Sequence, residues 1–132
     1  MYEVLLALDD DDERAKAQAR TVADLPHADE AVRAVLLHVF TGNSGGASVT
    51  RVGAVRRARE ILDEAGIEVA YAEESGDPGD RILEVAADRD SDMIAVAGRR
   101  RSPTGKALFG SVTQTVVLEA DRPVVVCHED DG

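Results

Sequence analysis

Met93-Ile94-Ala95-Val96-Ala97-Gly98 and, after an interval, Gly110-Ser111-Val112-Thr113-Gln114 leading to Arg122-Pro123-Val124-Val125-Val126-Cys127 decide the architecture. Met93–Ala97 and Pro123–Cys127 are nearly unbroken in small and branched apolar residues, as in strands covered on both faces. Between them Ser111-x-x-Gln114 resembles a capping box. Val112, Val116 and Leu118 follow it, and Asp121-Arg122-Pro123 ends the run, so a helix joins the two strands. A strand, a helical crossover and a second strand make parallel neighbours of one sheet.

The same grammar repeats toward the N-terminus. Tyr2–Leu8 and Ala34–Phe40 are two further continuous strands, and Ile67–Ala72 alternates apolar with other residues, as an edge strand does. Asp10–Leu25 is an alanine-rich helical stretch opening on Asp10-x-x-Glu13. Val49, Val52, Val55, Arg59, Leu62 and Ala65 make one stripe of a second helix, which Gly66 stops. Asp77-Pro78 opens a third with an N-cap and an N1 proline, and Ile82, Leu83 and Ala86 face inward. Five strands alternating with four helices predict an α/β fold, a single doubly wound, Rossmann-like parallel sheet. Gly42-Asn43-Ser44-Gly45-Gly46 is expected to be a connecting loop. Residues 1–128 form the expected domain and 129–132 an acidic tail.

Composition narrows the function classes. The 132 residues suffice for one domain, with 44% hydrophobic and 31% charged residues. A net charge of −11 repels phosphate backbones and anionic membranes, so neither nucleic acid nor membrane is an expected partner. Two lysines stand against thirteen arginines, and such acid-rich, lysine-poor surfaces resemble those of salt-adapted proteins. Cys127 is the only cysteine, which excludes an internal disulfide and a cysteine zinc site. With no leader pattern and no apolar run of membrane length, a cytoplasmic location is expected.

In open α/β sheets the ligand crevice lies beyond the carboxyl ends of the strands, where the strand order reverses. Two segments suit that place. One is Asp9-Asp10-Asp11-Asp12 at the end of the first strand. The other is Gly98–Ser111, with Gly98, Gly105 and Gly110, the cations Arg99, Arg100, Arg101 and Lys106, and a helix start. Glycine lets backbone approach a ligand, and open N–H groups at a helix N-terminus attract anions. Anion binding is therefore the physical reading. Its rivals are plain ones: the glycines shape a turn, the arginines pair with acidic surface, one of the aspartates caps the next helix, and the Ser111 hydroxyl either caps its helix or meets phosphate. His38 lies in an apolar strand and reads as a satisfied core histidine, and Cys127 as inert packing. Lys106 is not part of a Walker A loop, no G-x-S-x-G elbow is present, and the histidines lack metal-ligand spacing. A phosphoacceptor receiver domain would share Asp9-Asp10, but Glu73-Glu74 and Cys127-His128 stand where its acceptor aspartate and lysine belong.

Over essentially its whole length the chain resembles the universal stress proteins. The likeness rests on Val4-Leu5-Leu6-Ala7-Leu8-Asp9, Leu36-Leu37-His38-Val39, Gly76-Asp77-Pro78, and above all Gly98…Gly110-Ser111-Val112-Thr113 followed by Arg122-Pro123-Val124-Val125-Val126. It implies a strand order of 3-2-1-4-5 and a stress-response or regulatory module holding ATP or a related adenine nucleotide. On that resemblance Asp9 meets the nucleoside, backbone near Val39 meets adenine, and Gly98, Gly110 and Ser111 hold ribose and phosphates, with Val112 beside them. Asp9 is also a candidate for magnesium that arrives with the nucleotide. The family's nucleotide-binding members carry G-x2-G-x9-G-[S/T] in the loop, whereas this chain has Arg101 at the second glycine and is one residue short before Gly110. Arg101 would then grip phosphate by charge, with Gly105 supplying the missing flexibility, or it would close the pocket. The alternative is accordingly a non-nucleotide-binding, dimeric interaction module of the same fold. The resemblance implies a homodimer through the last strand, and Val124-Val125-Val126, an apolar edge without charged gatekeepers, supports it independently. No positioned catalytic base is legible, so at most weak ATP hydrolysis is expected.

Overall fold

A computed structural model describes residues 1–42, 48–98 and 109–128. The five strands are β1 (Tyr2–Leu8), β2 (Val32–Phe40), β3 (Glu68–Ser75), β4 (Met93–Ala97) and β5 (Val124–Cys127). All neighbours run parallel, in the order β3-β2-β1-β4-β5. The helices are α1 (Asp12–Ala23), a four-residue α2 (Ala28–Ala31), α3 (Gly53–Glu64), α4 (Pro78–Arg89) and α5 (Ser111–Glu119). The doubly wound α/β sheet and its order are those expected from the sequence.

Alternation along the central strands sorts the helices onto two faces. Val4, Leu6, Ala34 and Leu36 point to one side, where Ala15, Ala19 and Val22 of α1 and Val55, Ala58 and Leu62 of α3 cover them. Leu5, Val35, Leu37, Ile94 and Val96 point to the other, under Ile82 and Ala86 of α4 and Val116 of α5. Because both faces are covered, β1, β2 and β4 carry unbroken apolar runs instead of polar alternation. At the outer position, β3 leaves Glu68, Tyr71, Glu73 and Glu74 exposed.

Several boundaries shift from the expectation for local reasons. α1 starts at Asp12, and its cap is Asp11, not Asp10: the Asp11 carboxylate accepts from the Arg14 N–H at 2.9 Å. Asp9 Oδ1 accepts the Asp11 N–H at 2.9 Å, forming a turn that leaves Asp10 outside the helix. β2 begins two residues early, at Val32, behind the unanticipated α2, which His27 opens with φ of 56°. The second-helix stripe splits into a 3-10 turn over Val49–Arg51 followed by α3. Gly66, at φ +76°, stops α3 as expected. β3 extends to Ser75 because its ladder with β2 continues to Phe40↔Ser75. Asp77 caps α4 by accepting from the Asp80 N–H, with Pro78 at the first helical position. Most of the glycine-rich connection after β2, residues 43–47, lies outside the described residues, as does the 129–132 tail.

The amino ends of the strands are locked by polar contacts. Glu3, 8% exposed, accepts from Arg89 Nη2 at 3.1 Å and from Ser91 Oγ at 2.9 Å. Asp92 Oδ2 accepts the Glu3 N–H, and Arg122 donates to the Ser91 carbonyl at 2.7 Å. This network fixes the end of the sheet opposite the crevice and keeps the β1 and β4 ends in place.

Candidate functional site at the strand fork

β1 pairs with β2 over its whole length but with β4 only from Val4↔Met93 to Leu6↔Ala95. Beyond that point the chain after β1 turns into α1 on one face, while α5 packs on the opposite face, so the two strand ends part. Gln18 of α1 fills the fork. Fully buried, it donates from Nε2 to the Ala7 carbonyl at 2.8 Å and the Ala95 carbonyl at 3.0 Å. Its Oε1 has no partner. The amide thus satisfies two carbonyls that the ladder leaves behind where it ends.

A pocket of about 390 Å³ opens above this fork. Asp9 and Asp10 from the end of β1, Arg14 from α1, and residues 37–41 from the end of β2 form one side. Pro78 and Ile82 of α4, and Gly110–Thr113 at the start of α5, form the other. Five of the sequence candidates, Asp9, Val39, Gly110, Ser111 and Val112, therefore meet around one cavity. Gly98 is not among its lining residues. A Cβ there would sit 2.8 Å from the His128 ring and 3.0 Å from a Val126 methyl, so this glycine makes room for β5. Arg101 and Gly105 lie outside the described residues.

The start of α5 is the pocket's positive pole. Gly110 is its N-cap, in extended conformation at φ −72°, and among the described residues no side chain caps the helix. The Ser111 hydroxyl is therefore not the cap, which removes one of the two roles open to it. The first N–H groups of α5 keep their capacity to donate, and the helix dipole adds partial positive charge beside the cavity. Thr113 Oγ1 donates to the Ala97 carbonyl at 2.7 Å and anchors this helix end to β4.

Opposite stands an ion pair that sequence reading missed. Arg14 Nε donates to Asp9 Oδ2 at 2.8 Å, and Asp11 Oδ2 lies 3.9 Å from Nη1. The signal was available, because Arg14 is five residues past Asp9 and one turn into α1, but it needed the true helix start. With one oxygen on Arg14 and the other on the Asp11 N–H, the Asp9 carboxylate is occupied within the protein. Among the described residues no group of three or more His, Cys, Asp or Glu side chains is placed to hold a metal ion. Cys127, 2% exposed, closes the core beneath, and burial pushes its thiol pKa up, against a smaller opposing effect from Thr21. Inert packing fits that environment.

The family model described as "Universal stress protein family" matches residues 1–128. The chain belongs to the universal stress protein family. Within that family it is 30% identical over 94 residues to a universal stress protein of Mycolicibacterium smegmatis, covering 67% of this chain and 72% of the relative. The universal stress protein of Archaeoglobus fulgidus superposes with a TM-score of 0.71 at 27% identity, covering 96% of this chain and 98% of the other. An Archaeoglobus fulgidus universal stress protein in complex with dAMP shares the fold with a TM-score of 0.72 at 22% identity, covering 96% and 98%. The 3-2-1-4-5 sheet is thus this family's fold, reached here from the chain's own packing.

Proposed function

We propose that this universal stress protein binds an adenine nucleotide, ATP or a relative, in the pocket above the β1/β4 fork, and that occupancy serves a stress-response or regulatory role. The observation that carries the reading is the N-terminus of α5, capped by no side chain among the described residues, beside a cavity of about 390 Å³ that Asp9 and Val39 also line. Such a terminus suits phosphate, and a cavity of this size suits a small organic ligand. Structures of universal stress proteins with this fold hold cAMP, dAMP and AMP, which supports the class of ligand. Binding, not turnover, is the activity expected. Magnesium would arrive with the phosphates and be held mainly by them.

A second reading keeps the fold without the nucleotide. Among the described lining residues Asp9 and Asp10 oppose a single cation, Arg14, an arrangement unfavourable to a polyphosphate unless the α5 terminus outweighs it. Titration calorimetry with ATP and magnesium separates the two. Micromolar binding supports the nucleotide site; no heat and no thermal stabilisation at millimolar ATP overturns it.

Under either reading we expect a homodimer through β5. The two edges of the sheet differ: β3 carries Glu68, Glu73 and Glu74, whereas β5 reads Val124-Val125-Val126-Cys127 without a charge. Charged edges resist pairing and uncharged ones invite it. Light scattering should return twice the 14.1 kDa chain mass. A mass of one chain across a wide concentration range refutes the pairing. No helix among the described residues is long and apolar enough to cross a membrane, and the cytoplasm is the proposed location.

A further inference from the structure

We infer that His38 is a ligand-reading residue of this pocket: its Nε2 accepts a hydrogen bond from the ligand and selects ligands that present a donor there. The inference rests on the nucleotide reading and names a determinant of specificity within it.

His38 sits at the end of β2, in register with Leu8 of β1. Its Nδ1 lies 2.9 Å from the Leu8 carbonyl oxygen. A carbonyl only accepts, so Nδ1 carries the proton, and the neutral ring then holds its lone pair on Nε2. The Phe40 ring packs edge-on at 4.7 Å and 74°, which sets the plane of the imidazole. Both ends of that arrangement are buried backbone or packed ring, so the ring has little freedom to turn.

Nε2 is the atom left over. It has no hydrogen-bond partner among the described residues, yet it is not one of the sealed, unpartnered polar atoms, which are Gln18 Oε1 and Arg81 Nε. The residue is 8% exposed and is one of those that line the cavity. A neutral acceptor fixed at a cavity wall does what the aspartates there do poorly. It accepts a hydrogen bond without adding negative charge next to phosphate. A site that hydrogen-bonds one group rejects an analogue lacking it, because the buried partner is then left unpaired. In an adenine nucleotide the available donors are the exocyclic amine and the ribose hydroxyls.

The test compares ATP, ITP, 2′-deoxyATP and 3′-deoxyATP on the native chain and on two variants. ITP replaces the amine with a carbonyl; the deoxy forms each remove one hydroxyl. The native chain should lose about tenfold in affinity for one of the three analogues, the size of one hydrogen bond. In His38→Asn the amide nitrogen takes the place of Nδ1 toward Leu8 while the Nε2 acceptor is gone. That variant should fold normally and bind ATP and the analogue alike. In His38→Gln an acceptor returns near the Nε2 position at the expense of the Leu8 bond, so the preference should reappear even in a less stable protein. Nitrogen-15 spectra of the native chain should report the Nδ1–H tautomer, with the Nε2 resonance moving on ATP binding. Equal binding of all four ligands by the native chain, or unchanged preference in His38→Asn, overturns the role of His38 while leaving the nucleotide site standing. Absence of ATP binding by the native chain overturns both.

Discussion

Gly110→Asp should raise the melting temperature and weaken nucleotide binding about 100-fold, two effects of opposite sign from one substitution. The N-cap of α5 is empty of side-chain bonds, and its backbone at φ −72°, ψ 166° accepts any L-residue. Aspartate there caps the exposed N–H groups and complements the helix dipole, together roughly 0.5–1 kcal/mol of stabilisation. The same carboxylate stands where a phosphate would, and like charges brought together in a binding site cost several kcal/mol. About 100-fold in dissociation constant corresponds to ~2.7 kcal/mol, within that range. Gly110→Asn is the control, since it caps without charge and should retain most of the affinity. Calorimetry with ATP and a thermal melt on each variant read both effects. If Gly110→Asp binds as the native chain does, the start of α5 is not the anion site.

The second large effect concerns how α4 and α5 meet beside the pocket. A Cβ at Gly79 would lie 2.9 Å from the Thr115 methyl and 3.2 Å from Thr115 Cβ. The methyl alone would be a small obstacle, but a Cβ moves only with its helix. Gly79→Ala should therefore destabilise by up to about 2 kcal/mol, overpacking of 1–3 kcal/mol less the ~1 kcal/mol helix preference of alanine. Thr115→Ala removes the nearer atom but keeps the Cβ at 3.2 Å, so in that background Gly79→Ala should cost less without becoming neutral. A denaturant melt of the four proteins measures the coupling, expected at ~1 kcal/mol. Additive single effects would place the cause elsewhere. Because Pro78 and Ser111, one from each helix, both line the cavity, Gly79→Ala should also weaken nucleotide binding, by a smaller factor than Gly110→Asp.

How far the site was legible follows from what kind of physics placed each residue. Asp9 and Gly110–Val112 stand at strand-end and helix-start signals, which are local, and they do line the pocket. Gly98 carried an equally local signal, a glycine closing a strand. Its lack of a Cβ is used by Val126 of β5 and by His128 just past it, about thirty residues along the chain. The pairing of Arg14 with Asp9 depended on α1 starting at Asp12, and four consecutive aspartates leave the cap undetermined until the Asp9 turn selects Asp11. His38 was half readable. A histidine in an apolar strand needs a partner, and Nδ1 has one in the Leu8 carbonyl. That the same residue also lines a cavity follows from where β1 and β4 part.

The amino-acid sequence by itself determined the element order, the parallel doubly wound sheet and the two-sided burial of its central strands. Those follow from hydrophobic period and from caps, which act within a few residues of chain. Family membership was legible too, through the motifs that start β1 and α5. Tertiary structure alone decided that the β1/β4 ladder stops at Leu6↔Ala95, that Gln18 bridges the opened carbonyls, and that Arg14 and His38 face the space beyond. The ladder's end, the Gln18 bond to Ala95 and the His38 bond to Leu8 join segments 30 to 89 residues apart, which no local pattern encodes. A pocket is the space left where packing and pairing end, and only the assembled sheet and helices define where that is.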